Sequence, residues 1–121
     1  MALRNPKKFK SCSAFAPIVE PSSASWSGEA FKKFIGLDKS NWQKYDSVAL
    51  VKNGYYFPEI LVDQGDADSF LEEGLRPWLL EEACNNTNIN LKLRMQPNYD
   101  HSYYFISTFM ADHLIWHRER I

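Results

Sequence analysis

Two short polar turns in this chain carry side chains that could do chemistry. Asp100-His101-Ser102 stands just ahead of Tyr103-Tyr104-Phe105 and puts a histidine at the mouth of an aromatic-rich helical segment. Upstream, Asp63-Gln64-Gly65-Asp66-Ala67-Asp68 offers carboxylates in the equivalent place, one strand-and-helix unit earlier. Histidine has the side-chain pKa nearest neutrality, which suits it to take a proton from a nucleophile and return it to a leaving group. A carboxylate on its other ring nitrogen fixes the tautomer and stabilises the imidazolium, an effect of about 10⁴ in rate in a serine protease. Spacing leaves Asp63, Asp66 and Asp68 all open as that carboxylate. The competing reading is a solvent-exposed turn histidine beside ordinary helix-capping acids.

Those turns need elements to hold them. Residues 11–17 are small or apolar and stop at Pro17, as a buried strand would. A Ser- and Pro-rich connection over 19–27 carries Trp26, and a helix over 29–35 ends at Gly36. Ser40 with Gln43 three residues later has the reciprocal capping pattern of a second helix. Residues 59–63, between Pro58 and Gly65, predict a central buried strand. Ser69 and Glu72 repeat the capping pattern, so a helix is expected from just after Asp68 to Cys84, kinked or restarted by Pro77. Residues 89–95 alternate apolar and polar as a strand with one less buried face, and Pro97 ends it. From 102 to 120, Ile106, Phe109, Met110, His113 and Leu114 recur at helical spacing. Strands alternating with helices predict an α/β fold with parallel strands. In such sheets ligands bind at the carboxyl ends of the strands, where Asp68 and His101 both emerge.

Composition narrows the classes. At 121 residues the chain is expected to be one domain or part of one, and a net charge of −1 with no long run of like charge argues against nucleic acid. Lys7, Lys8 and Lys10 are read as a solvated cluster. No apolar stretch approaches the ~20 residues of a membrane span, and the start lacks a signal-peptide core, so a soluble, cytoplasmic protein is expected. Cys12 and Cys84 make neither a disulfide framework nor a metal pair and read as buried thiols. His113 and His117 share a helical face at i,i+4, but no glutamate follows His113 and no third ligand is suggested; His113 is expected at the core and His117 at the surface. Asp66-Ala67-Asp68 lacks the glycine and terminal glutamate of a calcium loop.

A family resemblance rests on longer segments. Leu3-Arg4-Asn5-Pro6, Lys10-Ser11-Cys12-Ser13-Ala14-Phe15-Ala16-Pro17-Ile18, Ala30-Phe31, Gly36-Leu37-Asp38, Trp42, Tyr45-Asp46, Val62-Asp63-Gln64-Gly65 with Asp68 and Phe70-Leu71, and Tyr99-Asp100-His101-Ser102-Tyr103-Tyr104-Phe105-Ile106 closely resemble the carboxyl-terminal portion of S-formylglutathione hydrolase, also called esterase D. The resemblance implies part of an α/β-hydrolase fold over residues 1–121. It implies a cofactor-free, metal-free serine esterase that cleaves S-formylglutathione to glutathione and formate in formaldehyde detoxification and hydrolyses simple carboxylic esters. Carried over by position, the triad acid falls on Asp68 and the base on His101, and Trp26 matches a tryptophan near the acyl pocket. The order acid then histidine agrees with this fold.

The departure from the family pattern is the nucleophile. None of the five glycines is followed two residues later by serine, so the Gly-x-Ser-x-Gly elbow is absent from these 121 residues. Ser102 and Ser69 adjoin the expected base and acid, but neither lies on a strand-to-helix elbow, and Ser102 reads as a helix cap. The chain alone is therefore expected to be inactive. The first strand is expected to leave an open edge that invites a partner, either a complementing amino-terminal segment or another protomer.

Overall fold

Three parallel strands form the centre of the computed structural model, which describes residues 1–24 and 27–121. Strands β1 (Ser13–Phe15), β2 (Glu59–Gly65) and β3 (Asn90–Gln96) lie in sequence order, with Ser13 opposite Leu61 and Leu61 opposite Lys92. Helices α1 (Gly28–Phe34) and α2 (Ser47–Lys52) lie between the first two strands, α3 (Trp78–Asn85) between the second and third, and α4 (Tyr103–Arg118) after the last. The expected α/β alternation is present. Among the described residues β1 pairs only with β2, so its other edge is open.

Strand periodicity sorts the sheet into two faces. Ile60 and Val62 of β2 join Val48, Val51, Phe57, Leu80, Ala83, Cys84 and Ile89 in one apolar cluster beneath α2 and α3. Each fully buried valine or leucine there contributes roughly 1.5–3 kcal/mol, so this face carries most of the hydrophobic stabilisation. On the opposite face Asp63 meets His113 of α4. The buried stripe of α4 is Phe105, His113 and Trp116; Met110 and Leu114, expected on it, are 40% and 63% exposed.

Several boundaries differ from the sequence reading, each for a local reason. Strand 11–17 contracts to Ser13–Phe15 because Ala16 turns left-handed, φ 42°, while its N–H still donates to the Asp63 carbonyl. Strand 89–95 slides one residue to Asn90–Gln96. The helix expected from 68 to 84 splits into a single π-helical turn, Leu71–Leu75, and α3; Arg76 is left-handed and Pro77 takes the cap position, so the proline restarts the helix. Neither serine capping box forms. Asp68 accepts from the Phe70 N–H and Asp38 from the Ser40 N–H, an ionised acceptor displacing a hydroxyl in each case. The helix expected to begin at Ser40 appears as a 3-10 helix, Lys39–Tyr45, and α2 starts afresh after it, capped by the buried Asp46. At α4 the Ser102 hydroxyl does accept from the Phe105 N–H, as a cap should.

Gly65 decides how the last strand returns over the sheet. A Cβ there would lie 2.1 Å from the Tyr99 carbonyl oxygen, which also accepts from the Ala67 N–H. Only a residue without a side chain lets the loop after β3 lie this close to the end of β2. Gly65→Ala is expected to push that loop away, destabilising the chain by about 1–3 kcal/mol and separating His101 from Asp68. Urea denaturation, with the ring-proton resonances of His101 as local reporter, checks it; an unchanged midpoint and spectrum would refute the tight-approach account.

Candidate active site

Asp68 sits in the turn after β2, its side chain wholly out of solvent. Its Oδ1 accepts from the Phe70 N–H at 2.8 Å, and its Oδ2 accepts from Gln64 Nε2 at 3.1 Å and from His101 Nδ1 at 2.7 Å. A buried carboxylate is tolerated only when its lone pairs are satisfied in this way. His101 arrives from the loop between β3 and α4, so two strand ends bring together groups 33 residues apart. Asp66 instead accepts from the Asn98 N–H and holds the turn, and Asp63 belongs to a separate buried cluster. Of the three carboxylates that spacing left open, Asp68 is the one joined to His101.

The bond to Asp68 engages Nδ1 and leaves Nε2 as the working nitrogen of His101. The His101 side chain is 44% exposed, and the edge of the Phe70 ring packs against it with centroids 5.2 Å apart. His101 stands between two open clefts. One, of about 440 Å³, is lined by Phe15, Ala16, Ser102, Tyr103, Phe105 and Ile106; the other, of about 470 Å³, by Ala16, Ile18, Phe70 and Leu75. Among the described residues no Asp, Glu, Lys or Arg lines either cleft. The arrangement is a histidine with fixed tautomer, backed by a buried carboxylate and facing apolar space. It is suited to shuttle a proton for a nucleophile that attacks a small acyl group. Trp26, matched to the acyl pocket by the resemblance, lies outside the described residues.

A second polar cluster lies behind the site. Asp63, fully buried, accepts from Arg94 Nε at 2.7 Å and Nη2 at 2.5 Å, from Gln96 Nε2 at 3.0 Å and from His113 Nε2 at 2.8 Å. Burial alone would raise this carboxyl; the bonds from His113, Arg94 and Gln96 outweigh it and hold Asp63 well below the usual carboxylate range. The pairing in turn pushes the Arg94 guanidinium up.

Since ionised Asp63 can only accept, the remaining hydrogen bonds are ordered. His113 Nε2–H donates to Asp63, and in the neutral ring its Nδ1 accepts from the Ser13 hydroxyl at 2.8 Å. On the same footing Ser13 Oγ accepts from His117 Nε2–H at 2.9 Å, and Nδ1 of a neutral His117 accepts from the Ser11 hydroxyl at 2.6 Å. His117, expected at the surface, is therefore half-buried and tied to two serines of the β1 region. His113 is buried as expected, stacked on Phe15 with centroids 3.8 Å apart. Ser13, His113 and Asp63 have the residue types of a triad, but His113 is 2% exposed and the Ser13 hydroxyl is engaged on both sides, so no acyl group reaches it. Of the two cysteines, burial pushes the Cys84 thiol up to about 11 and raises the Cys12 thiol, which leaves both poor nucleophiles.

Comparison with known proteins bears on this geometry. The model of the Esterase family matches residues 1–116. An S-formylglutathione hydrolase from Agrobacterium tumefaciens is 66% identical and superposes with a TM-score of 0.95, over 98% of this chain and 43% of that one. FphF, a fluorophosphonate-binding serine hydrolase from Staphylococcus aureus, superposes with a TM-score of 0.72 at 17% identity, over 95% of this chain and 47% of that one. Esterase B from Lactobacillus rhamnosis gives 0.67 at 18% identity, over 89% and 40%. The last two share the fold alone. The chain thus spans less than half the length of each of these hydrolases.

Proposed function

The chain belongs to the esterase family, and on that footing we propose that it carries the acid and base of a serine-esterase triad whose nucleophile and oxyanion donors come from a complementing amino-terminal segment. The observation that supports this reading is the Asp68–His101 pair, buried on the acid side and open to apolar clefts on the base side. The 66% identity to an S-formylglutathione hydrolase points to S-formylglutathione as substrate, with small carboxylic esters as further ones.

In the assembled enzyme His101 Nε2 takes the proton of the attacking serine while Asp68 stabilises the imidazolium. That proton then goes to the departing glutathione sulfur, leaving a formyl-enzyme. A water, deprotonated by the same nitrogen, releases formate and restores the serine. Without preorganised donors the oxyanion forgoes about 3–4 kcal/mol per donor by the protease precedent, so the chain alone has neither the nucleophile nor the electrostatic half of the site. The reaction needs no cofactor in this reading. Free Cys12 and Cys84 accord with a cytoplasmic setting, and no helix among the described residues is long and apolar enough to cross a membrane.

Turnover of S-formylglutathione and of an activated aryl ester by the purified chain is expected at background. Mixing with a polypeptide bearing the Gly-x-Ser-x-Gly elbow and the preceding strands should restore it. Activity of the chain alone that Ser102→Ala abolishes would overturn the proposal, as would failure of the mixture to exceed either part. A second reading, association without catalysis, draws on the open edge of β1; binding of the same polypeptide with no gain in turnover would select it.

A further inference from the structure

Along β2 the residues at 60, 62 and 64 share a face, and two of them, Ile60 and Val62, are apolar members of the core. The third is Gln64, with no solvent exposure at all. Patterning asks for an aliphatic side chain there, and a local rule broken at a buried position marks a site with a task. The amide sits there at a loss, because its Oε1 is buried without a partner, an omission worth about 1–3 kcal/mol.

What Gln64 does with its other end is specific. Nε2 donates one proton to the Gly65 carbonyl at 3.0 Å and the other to Asp68 Oδ2 at 3.1 Å. Both partners are acceptors only, so the amide has one workable orientation. Asp68 Oδ2 is also the oxygen that meets His101 Nδ1. With Oδ1 taken by the Phe70 N–H, the Gln64 donor completes a three-point clamp that stops the carboxylate from rotating. It also shares the charge that His101 sees.

We propose that Gln64 is a positioning residue for the acid–base pair, fixing Asp68 Oδ2 for His101 and moderating its basicity. This rests on the triad reading given above. A hydrogen bond to the charged form of a carboxylate draws charge from it, so Asp68 with Gln64 is a weaker partner for the imidazolium than Asp68 without it. Losing the donor should therefore raise the midpoint at which His101 protonates. Among the described residues Asp66 and Asp100 lie in the adjoining turns, and the phenol of Tyr103 lines one cleft. Gln64→Leu leaves all three in place.

The test is a proton NMR titration of His101 in the whole chain, which asks nothing of catalysis. In Gln64→Leu and Gln64→Met the His101 midpoint is expected to rise, with global stability little changed, because the orphaned Oε1 goes while Asp68 loses a donor. A further measurement needs no substitution. In the native chain one of the two Gln64 Nε2 proton resonances should move with the same midpoint as His101, since both donate to one oxygen. An unmoved His101 midpoint in a folded variant, or Gln64 protons indifferent to His101, would overturn the proposal. In the complemented enzyme the acid limb of kcat/KM should shift by the same amount, with KM unchanged. Absence of any turnover would count against the esterase reading and leave the NMR result standing.

Discussion

Asp63→Ala should be the most damaging single change to the fold, lowering stability by about 3–5 kcal/mol or abolishing folding. That is the penalty for removing one partner of a buried ion pair and leaving the other uncompensated. Alanine would strand the Arg94 fork, the Gln96 amide and the His113 Nε2–H at once. Arg94 would keep Asp112, at 3.0 Å on the exposed side, and the ring of Phe109. Asp63→Asn keeps the shape and loses the charge, and should cost less. Acid dependence follows from the same carboxyl. Its pKa is depressed in the folded chain, so the stability it contributes is complete above the unfolded value of about 3.9 and drains away as pH falls towards the folded one. Urea midpoints measured between pH 7 and pH 2 should hold to about pH 4.5 and then fall, more steeply for the native chain than for Asp63→Asn. Parallel acid limbs would sink the assignment.

The second large effect concerns catalysis once the chain is complemented. His101→Ala should remove nearly all turnover, and Asp68→Asn should lower kcat about 10³–10⁴-fold with KM little changed. Asparagine keeps the Phe70 N–H bond possible but no longer offers a charge to the imidazolium. Asp66→Asn, whose carboxylate holds the Asn98 N–H, should fall within a few-fold of the native rate. Measured kcat and KM on an aryl ester decide it; a crippled Asp66→Asn beside a healthy Asp68→Asn would reverse the choice of acid.

Why spacing alone did not separate Asp68 from its neighbours, as the family resemblance did, is a matter of what lies beside it in space. Three aspartates within six positions look alike until β2 buries one against Arg94, a turn occupies the second, and Gln64 with the Phe70 N–H receives the third. The α/β alternation, the central strand and the Ser102 cap were legible because each rests on local periodicity or a local hydrogen bond. The Asp63 cluster was not, since its members stand 31, 50 and 100 residues apart. It left a trace all the same: Asp63 closes an apolar strand and His113 sits on a helical apolar stripe, polar groups at core positions that had to find one another. The capping boxes misled because Asp38 and Asp68, lying just ahead of Ser40 and Ser69, are stronger acceptors than the serines.

The Ser13 hydroxyl joins β1 to two histidines near the other end of the chain, 100 and 104 residues away. Closing a loop of that length costs about 4 kcal/mol of chain entropy by the (3/2)RT ln n rule, more than a hydrogen bond of about 1 kcal/mol returns. The contact is therefore favourable only where the rest of the sheet and its helices already hold the two ends together. β1 is thereby held by α4 as well as by its pairing with β2, so whatever loosens the end of α4 also loosens β1.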